Sequence, residues 1–270
     1  MSETDLNEWL FDRIRYQRLG PVARVTLANP AAGNALDLPM AQAFEAAARK
    51  VDDGARAGDV RVAILAAEGR MFSVGGDLRG FADAADPAAL MAQVAGAVHA
   101  GLILLAATPV PVITLVAGTA AGGGMGIALA GDIVLAAAHA KFVTAYTAAG
   151  LSPDCGTSWQ LASRAGTAVA LDLALTNRPL TAAEALQHGL VSRVLPGDAL
   201  TDEGDLLAGA LAAGSPAALA ATKTLVRDAT TTALAQQLDA EARSISYLVA
   251  SPDGHEGIHA FLEKRKPKFN

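Results

Sequence analysis

The sequence predicts an α/β fold in which a covered sheet is followed by a helical C-terminal region. Two patterns support this prediction. Short, continuous apolar runs alternate with helical stretches, and after Pro196-Gly197 the residue pattern is typical of helices alone. The 270 residues are 52% hydrophobic and 18% charged, so the chain can bury a sizeable core. We therefore expect an α/β core over residues 1–200 and a helical region over residues 201–270.

The individual elements follow from residue pattern. The predicted strands are the β-branched or apolar runs 24–28, 60–66, 110–117 and 133–137. A helix is predicted over 38–51, with its start at Leu36-Asp37, and helical periodicity returns over 205–213, 216–228 and 234–249. Continuous apolar strands separated by helices are typical of a sheet that is covered on both faces.

Charge and composition exclude several classes of function. The net charge of -6 and the pI of about 5.3 argue against nucleic-acid binding. The acidic residues near Met1 are unlike a secretory signal, and we expect a cytoplasmic protein. One cysteine and five histidines without ligand spacing predict neither a disulfide nor a metal site. Residues 87–131 carry no charge, but breaks between Thr108 and Gly124 predict short core elements rather than a membrane span.

Two glycine-containing segments, 69–78 and 118–126, each follow a predicted buried strand. Glycine lets another backbone or a ligand approach closely, and a helix that begins at 122–124 would present unpaired amides. Two such amides, one from each segment, can bind a developing negative charge as an oxyanion hole. The spacing alone also allows the simpler interpretation that these glycines only connect strand to helix.

These segments resemble the two signature loops of the crotonase (enoyl-CoA hydratase/isomerase) superfamily. The first match is Phe72-Ser-Val-Gly-Gly-Asp-Leu78, and the second is the run from Val110 to Gly126. Further matches are Asn29-Pro30, Asn34-Ala-Leu36 and the segment from Gly257 to Arg265. The resemblance covers nearly the whole chain. It implies a crotonase-like spiral of ββα units, a C-terminal helical trimerisation region, and a homotrimer or a dimer of trimers.

The resemblance also implies the substrate and its contacts. The substrate would be an acyl-CoA thioester, with coenzyme A as part of the substrate and no separate cofactor. The oxyanion amides would be those of Gly76 and Gly123. Further substrate contacts would come from Ser73, Val74, Asp77 and Leu78. Phe261 and Lys264 would reach the nucleotide bound by a neighbouring subunit, although a basic, solvated helix end explains the same residues.

The positions that matter for hydration depart from the family pattern. The hydratases that this chain resembles use two glutamates, and the corresponding positions are Gly126 and Tyr146. Without that pair, no two carboxylates are available to activate and orient a water. We therefore expect an isomerase rather than a hydratase.

Asp154, in the segment Gly150-Leu-Ser-Pro-Asp154-Cys155, is the remaining carboxylate in this neighbourhood. The segment resembles double-bond isomerases of fatty-acid or aromatic-acid degradation, including ring-modified phenylacetyl-CoA isomerases, which carry an acid here as the shuttling base. A single base suffices for isomerisation, since nothing is added to the substrate. The alternative is that Asp154 only caps a turn.

Three further hypotheses stay open. Asp154 with His99 resembles the pair of a branch that hydrolytically dehalogenates aryl-CoA thioesters, in which an aspartate attacks and a histidine activates water to cleave the aryl-enzyme ester. That branch carries an aromatic residue at the Gly76 position and a tryptophan at the Tyr146 position, where this chain departs. The chain could also be a hydratase with unusual residues or a catalytically silent acyl-CoA-binding protein. Cys155 is interpreted as a buried, inert thiol.

One expected phosphate contact is missing. The family usually offers a lysine or arginine just before the Asn34 position, where this chain has Ala31, Ala32 and Gly33. We expect Arg24 or Arg70 to replace it.

Overall fold

The computed structural model describes residues 6–269, which form two sheets surrounded by helices. The strands are β1 (Leu6–Leu10), β2 (Ile14–Leu19), β3 (Val22–Leu27), β4 (Val62–Ala67), β5 (Met71–Ser73), β6 (Val112–Val116), β7 (Thr119–Ala121), β8 (Ile133–Ala137), β9 (Lys141–Val143), β10 (Leu180–Thr181) and β11 (Arg193–Leu195). The larger sheet has the order β1-β2-β3-β4-β6-β8-β11, and the smaller has the order β10-β9-β7-β5.

Helices cover and connect these sheets. They are α1 (Leu38–Ala57), α2 (Leu78–Asp83), α3 (Pro87–Ala107), α4 (Gly123–Ala128), α5 (Thr157–Ala165), α6 (Thr167–Thr176), α7 (Ala182–Gln187), α8 (Leu200–Ala212), α9 (Pro216–Asp228), α10 (Leu234–Val249) and α11 (Pro252–Leu262). The mixed α/β architecture confirms the predicted fold class.

The chain builds the two sheets by repetition. A strand of the larger sheet is followed directly by a short strand of the smaller sheet in the pairs β4–β5, β6–β7 and β8–β9, and a helix follows each short strand further along the chain. Strands β5 and β7 are parallel neighbours, with Met71 opposite Thr119. Since parallel strands end at the same edge of a sheet, the glycines that follow β5 and β7, in segments 69–78 and 118–126, lie side by side.

The longer predicted elements are confirmed. The four predicted strands correspond to β3, β4, β6 and β8, and α9 and α10 have the predicted bounds. Asp37 is the N-cap of α1, where its side chain accepts a hydrogen bond from the amide of Met40 at 2.7 Å. The β1–β2 hairpin had no prediction, and neither did the two- and three-residue strands of the smaller sheet, which are too short to carry a readable period.

Helix α3 corrects one sequence argument. The breaks from Thr108 onward were expected to divide the uncharged region into short pieces, but α3 is a continuous helix of 21 residues that ends before them. By length and composition alone, it could cross a membrane. Its buried residues, Val94, Val98, Gly101 and Leu105, recur every three or four positions on one face. That face packs along α1, where a Cβ on Gly101 would lie 2.6 Å from the Phe44 ring.

The C-terminal helices differ in what they cover. Helix α8 packs on the larger sheet, with Gly204 directly over Leu115. Helices α10 and α11 carry large exposed apolar side chains, including Ile245, Tyr247 and Phe261. The division at residue 200 and the assembly into trimers stay predictions.

Candidate active site

The candidate site lies where the segments after β5 and β7 meet. A Cβ on Gly75 would be 2.8 Å from the carbonyl oxygen of Ala121 and 3.3 Å from the amide nitrogen of Gly123. Gly75 has φ +87°, in the region that favours glycine. Only residues without a side chain allow the two backbones to approach this closely, so the glycines do more than connect strand to helix.

Among residues 6–269, two backbone amides at this junction donate no hydrogen bond. The amide of Leu36 donates to the carbonyl of Gly75, and the carbonyl of Leu36 accepts from the amide of Asp77. These two hydrogen bonds anchor both neighbours of Gly76. Among residues 6–269 the amide of Gly76 donates no hydrogen bond. Gly123 is the first residue of α4, so its amide has no acceptor within the helix. The pair predicted as an oxyanion hole therefore has free donors on adjacent loops.

Buried polar side chains hold the first loop in place. Asn34 is fully buried, and its amide group donates to the carbonyls of Glu68, Met71 and Phe72. The Ser73 hydroxyl donates to the carbonyl of Asn34 at 2.8 Å and accepts from the amide of Gly75 at 3.1 Å. Ser73 is itself fully buried, and its contacts are those of a residue that shapes the loop.

An apolar cavity opens beside the two amides. Its lining includes Gly76, Gly123, Tyr146, Asp154 and Cys155, and its remaining walls are apolar or small residues: Leu36, Val74, Leu78, Phe81, Met91, Val94, Gly122, Ala145, Ala149 and Leu151. Asp154 is the one ionisable carboxylate among the described residues of this lining. Six of the predicted site residues, Gly76, Gly123, Val74, Leu78, Tyr146 and Asp154, are thus brought together here.

Asp154 lies against the second loop and is held by a tyrosine. A Cβ on Gly123 would be 3.5 Å from Oδ1 of Asp154. The hydroxyl of Tyr146 donates to the same oxygen at 2.7 Å and lies 3.3 Å from the hydroxyl of Thr157. Burial, followed by the negative charge of Asp154, raises the pKa of the Tyr146 phenol. The phenol therefore stays protonated and acts as a donor to the carboxylate.

The backbone after Asp154 makes an unusual turn. Cys155 and Gly156 both have positive φ, at +49° and +70°. The amide of Cys155 donates to Nε2 of His99 at 3.1 Å. The thiol of Cys155 is buried, and that burial, together with the charge of Asp154, raises its pKa. A protonated, enclosed thiol is a poor nucleophile, which fits the interpretation of Cys155 as inert.

The two hydratase positions have no carboxylate and little space for one. A Cβ on Gly126 would lie 2.1 Å from the carbonyl oxygen of Cys155, so the backbone of α4 packs directly on the turn that carries Asp154. Tyr146 fills the other position and is 8% exposed. The glutamate pair is therefore absent from the sequence, and one of its positions is occluded by the fold.

His99, Asp154 and Cys155 also form a cluster of potential metal ligands, with their donor atoms within 4.8 Å of one another. Sequence spacing could not reveal it, since His99 and Cys155 are far apart along the chain. Nevertheless, the raised thiol pKa disfavours a thiolate ligand, and Nε2 of His99 already accepts a hydrogen bond. The expected absence of a metal stays a prediction.

A second cavity adjoins the first and shares Val74, Gly76 and Leu78 with it. Its other walls are Ala31, Ala32, Ala35, Asp37, Asp77 and Arg79. Arg79 is exposed and is the one cation in this lining among the described residues. Sequence reasoning missed Arg79, although its position three residues after Gly76 is a usable signal.

The arginines expected to replace the missing phosphate-binding residue lie elsewhere. Arg24 pairs with Asp205 of α8. Arg70 is exposed and lines neither cavity. The prediction that Arg24 or Arg70 supplies this contact is therefore less well supported than one based on Arg79. Phe261, 82% exposed, and Lys264 lie at the end of α11 and line neither cavity of this chain.

Comparison with known proteins agrees with this geometry. Residues 18–270 match the family described as enoyl-CoA hydratase/isomerase. The chain is 35% identical to a probable enoyl-CoA hydratase of Rhodobacter capsulatus, over 96% of this chain and 98% of that protein. It is 39% identical to the 1,2-epoxyphenylacetyl-CoA isomerase of Escherichia coli, over 78% of this chain and 81% of that protein.

The crystal structure of an enoyl-CoA hydratase from Polaromonas superposes with a TM-score of 0.87 at 34% identity, covering 95% of this chain and 99% of that one. The names of these relatives include both hydratases and an isomerase. All of the names refer to coenzyme A thioesters, but they do not point to a single reaction. With a family match over almost its whole length and with this fold, the chain belongs to the enoyl-CoA hydratase/isomerase family of the crotonase superfamily.

Proposed function

We propose that this protein is an acyl-CoA isomerase that moves a double bond, with Asp154 as the single base. The observation that carries the proposal is the position of Asp154, the one carboxylate in the described lining of a cavity that Gly76 and Gly123 also line, with Oδ1 3.5 Å from a Cβ on Gly123. A thioester carbonyl oxygen that accepts from both amides would gain stabilisation as negative charge develops on it.

The proposed reaction conserves every atom of a 3-enoyl-CoA. Asp154 takes a proton from C2, which lies between the carbonyl and the double bond, and the electron pair moves into a dienolate. The dienolate oxygen is stabilised by the amides of Gly76 and Gly123. The carboxylic acid of Asp154 then returns its proton to C4, which forms the 2-enoyl product and restores the carboxylate. The free energy of the intermediate is lowered most by donors that are already in place.

Hydration and hydrolysis fit the site less well. Hydration needs groups to activate and orient a water, and the hydratase positions hold Gly126 and Tyr146 instead. Hydrolysis through an ester on Asp154 needs a histidine with a free nitrogen facing the cavity. Nε2 of His99 accepts from the amide of Cys155, and His99 does not contribute to the described lining.

The second cavity suits the coenzyme A portion of the substrate. It shares Val74, Gly76 and Leu78 with the apolar cavity, and its lining includes the exposed Arg79. A guanidinium binds phosphate oxygens through paired hydrogen bonds. We propose that Arg79 binds a coenzyme A phosphate, and that Phe261 and Lys264 of a neighbouring subunit in a homotrimer complete the nucleotide site.

The reaction class is tested by incubating the pure protein with 3-enoyl-CoA and 2-enoyl-CoA, with products followed by absorbance and mass. The proposal expects conversion of 3-enoyl to 2-enoyl esters at constant mass. A gain of one water would identify a hydratase, and release of free coenzyme A would identify a hydrolase. Either result, or binding without turnover of aliphatic and aromatic-ring esters, would overturn the proposal.

A further inference from the structure

His99 has a ring nitrogen within 4.8 Å of the proposed base, but it does not contribute to the described lining of the cavity. Its side chain is exposed on the surface of α3, and its Nε2 accepts the amide hydrogen of Cys155 at 3.1 Å. Given the proposed role of Asp154, we infer that His99 is a positioning residue: it fixes the turn that aims the Asp154 carboxylate into the cavity. This inference rests on the proposed function.

The turn needs such support because its backbone is unfavourable without help. Cys155 is a non-glycine residue at φ +49°, a conformation that side chains rarely adopt, and Gly156 follows at φ +70°. Helix α4 also packs directly against the turn, and a Cβ on Gly126 would meet the carbonyl oxygen of Cys155. Strained backbone persists only where its surroundings determine it fully.

His99 supplies the hydrogen-bond acceptor for the backbone amide of this turn. Among residues 6–269 it is the only acceptor of the Cys155 amide, and without it a buried donor would be unpaired. On the other side, the Tyr146 hydroxyl bonds Oδ1 and lies 3.2 Å from the carbonyl oxygen of Asp154. Asp154 is thus held directly by Tyr146 and, through Cys155, by His99.

The same contact fixes the chemical state of the imidazole. An Nε2 that accepts a hydrogen bond carries no proton, so the proton of the neutral ring is on Nδ1. With its lone pair engaged by Cys155, Nε2 is unavailable to remove a proton from water or substrate. His99 therefore differs in role from a general base, although it lies close to Asp154.

Two substitutions of His99 separate these roles. His99→Gln places an amide oxygen near the former Nε2 and keeps an acceptor, whereas His99→Leu keeps the volume and removes the acceptor. For 3-enoyl-CoA isomerisation we expect His99→Leu to lower kcat by about 10- to 100-fold with KM changed less than about threefold, because misplacement of a catalytic group costs rate more than binding. His99→Gln should keep kcat within about threefold of wild type.

The matched control is His255→Leu, the same change at an exposed histidine of α11, which should leave kcat and KM unchanged. Equal loss in His99→Gln and His99→Leu would contradict the inference and indicate a base. Full activity in His99→Leu would also contradict it. If His99→Leu does not fold, His99→Asn takes its place, since its amide is one methylene too short for the contact, and it should lose kcat relative to His99→Gln.

Asp154→Asn distinguishes failure of this inference from failure of the proposed function. If Asp154→Asn abolishes isomerisation while His99→Leu is fully active, only the positioning role is wrong. If Asp154→Asn remains active, the proposed function fails, and the positioning role fails with it.

Discussion

The Tyr146 hydroxyl donates a 2.7 Å hydrogen bond to Oδ1 of Asp154, and both residues line the apolar cavity. Tyr146, which the sequence resemblance assigns to the position of a hydratase glutamate, contacts the carboxylate that we propose as the base. Because burial and the charge of Asp154 raise the pKa of the phenol, the tyrosine remains a donor over the whole range in which proteins are assayed. Its role would be to orient a base rather than to act as one.

Tyr146→Phe should lower kcat for 3-enoyl-CoA isomerisation by about 10-fold, with KM nearly unchanged, because the carboxylate loses the bond that fixes its rotation. Steady-state kinetics with the purified variant measure this. Tyr247→Phe, the same change at a residue that is 75% exposed, is the control. Wild-type kcat in Tyr146→Phe would mean that the hydrogen bond does not contribute to catalysis.

Gly126→Ala should lower the free energy of unfolding by about 2 kcal/mol, since its Cβ would meet the carbonyl oxygen of Cys155 and one backbone must move. Gly209→Ala, at an exposed helical glycine with open space around it, should instead raise the free energy of unfolding by about 0.5–1 kcal/mol. Denaturant titration compares the two variants. A neutral Gly126→Ala would contradict the close packing of α4 on the turn.

Cys155 should resist alkylation by iodoacetamide at pH 8 in the folded protein and react within minutes once the protein is unfolded. The residue is 2% exposed, and the pKa of its thiol is raised by burial and then by Asp154, so the reactive thiolate is scarce at this pH. Intact mass reports the modification. Rapid labelling of the native protein would contradict the structure around the turn.

Arg79→Gln should raise KM for an enoyl-CoA ester by about 10-fold, because a charge-assisted contact with a phosphate is lost. The same variant should leave kcat/KM unchanged for the N-acetylcysteamine thioester of the same acyl group, which has no phosphates. Arg193→Gln, at an exposed arginine that lines neither cavity, is the matched control and should change neither value. Equal effects on both thioesters would place Arg79 outside the phosphate site.

Sequence reasoning predicted the long elements and the two loops, because their patterns are local. Strands β4, β6 and β8 are apolar runs bounded by breakers, and the glycine segments follow two of them. The two- and three-residue strands of the smaller sheet are too short to have a pattern, yet the pairing of β5 with β7 brings Gly75, the residue before Gly76, against Gly123. The resemblance supplied that juxtaposition, and spacing alone did not.

Contacts between distant residues were the part that sequence could not supply. The bond from Cys155 to His99 joins α3 to the turn before α5, and the contact of Gly126 with Cys155 depends on how α4 packs. Arg24 illustrates the same limit, because its charge is engaged by Asp205, which lies far along the chain. Each of these relationships is fixed by tertiary packing, which the local pattern does not encode.

The most direct test of the account is isomerisation of 3-enoyl-CoA by Asp154→Asn, measured together with binding of the ester. Asparagine keeps the size of the side chain and removes the base. The account predicts that kcat falls at least about 1,000-fold, while the dissociation constant of the ester stays within about threefold of wild type. Isomerisation by Asp154→Asn at a rate near that of the wild type would contradict the central claim.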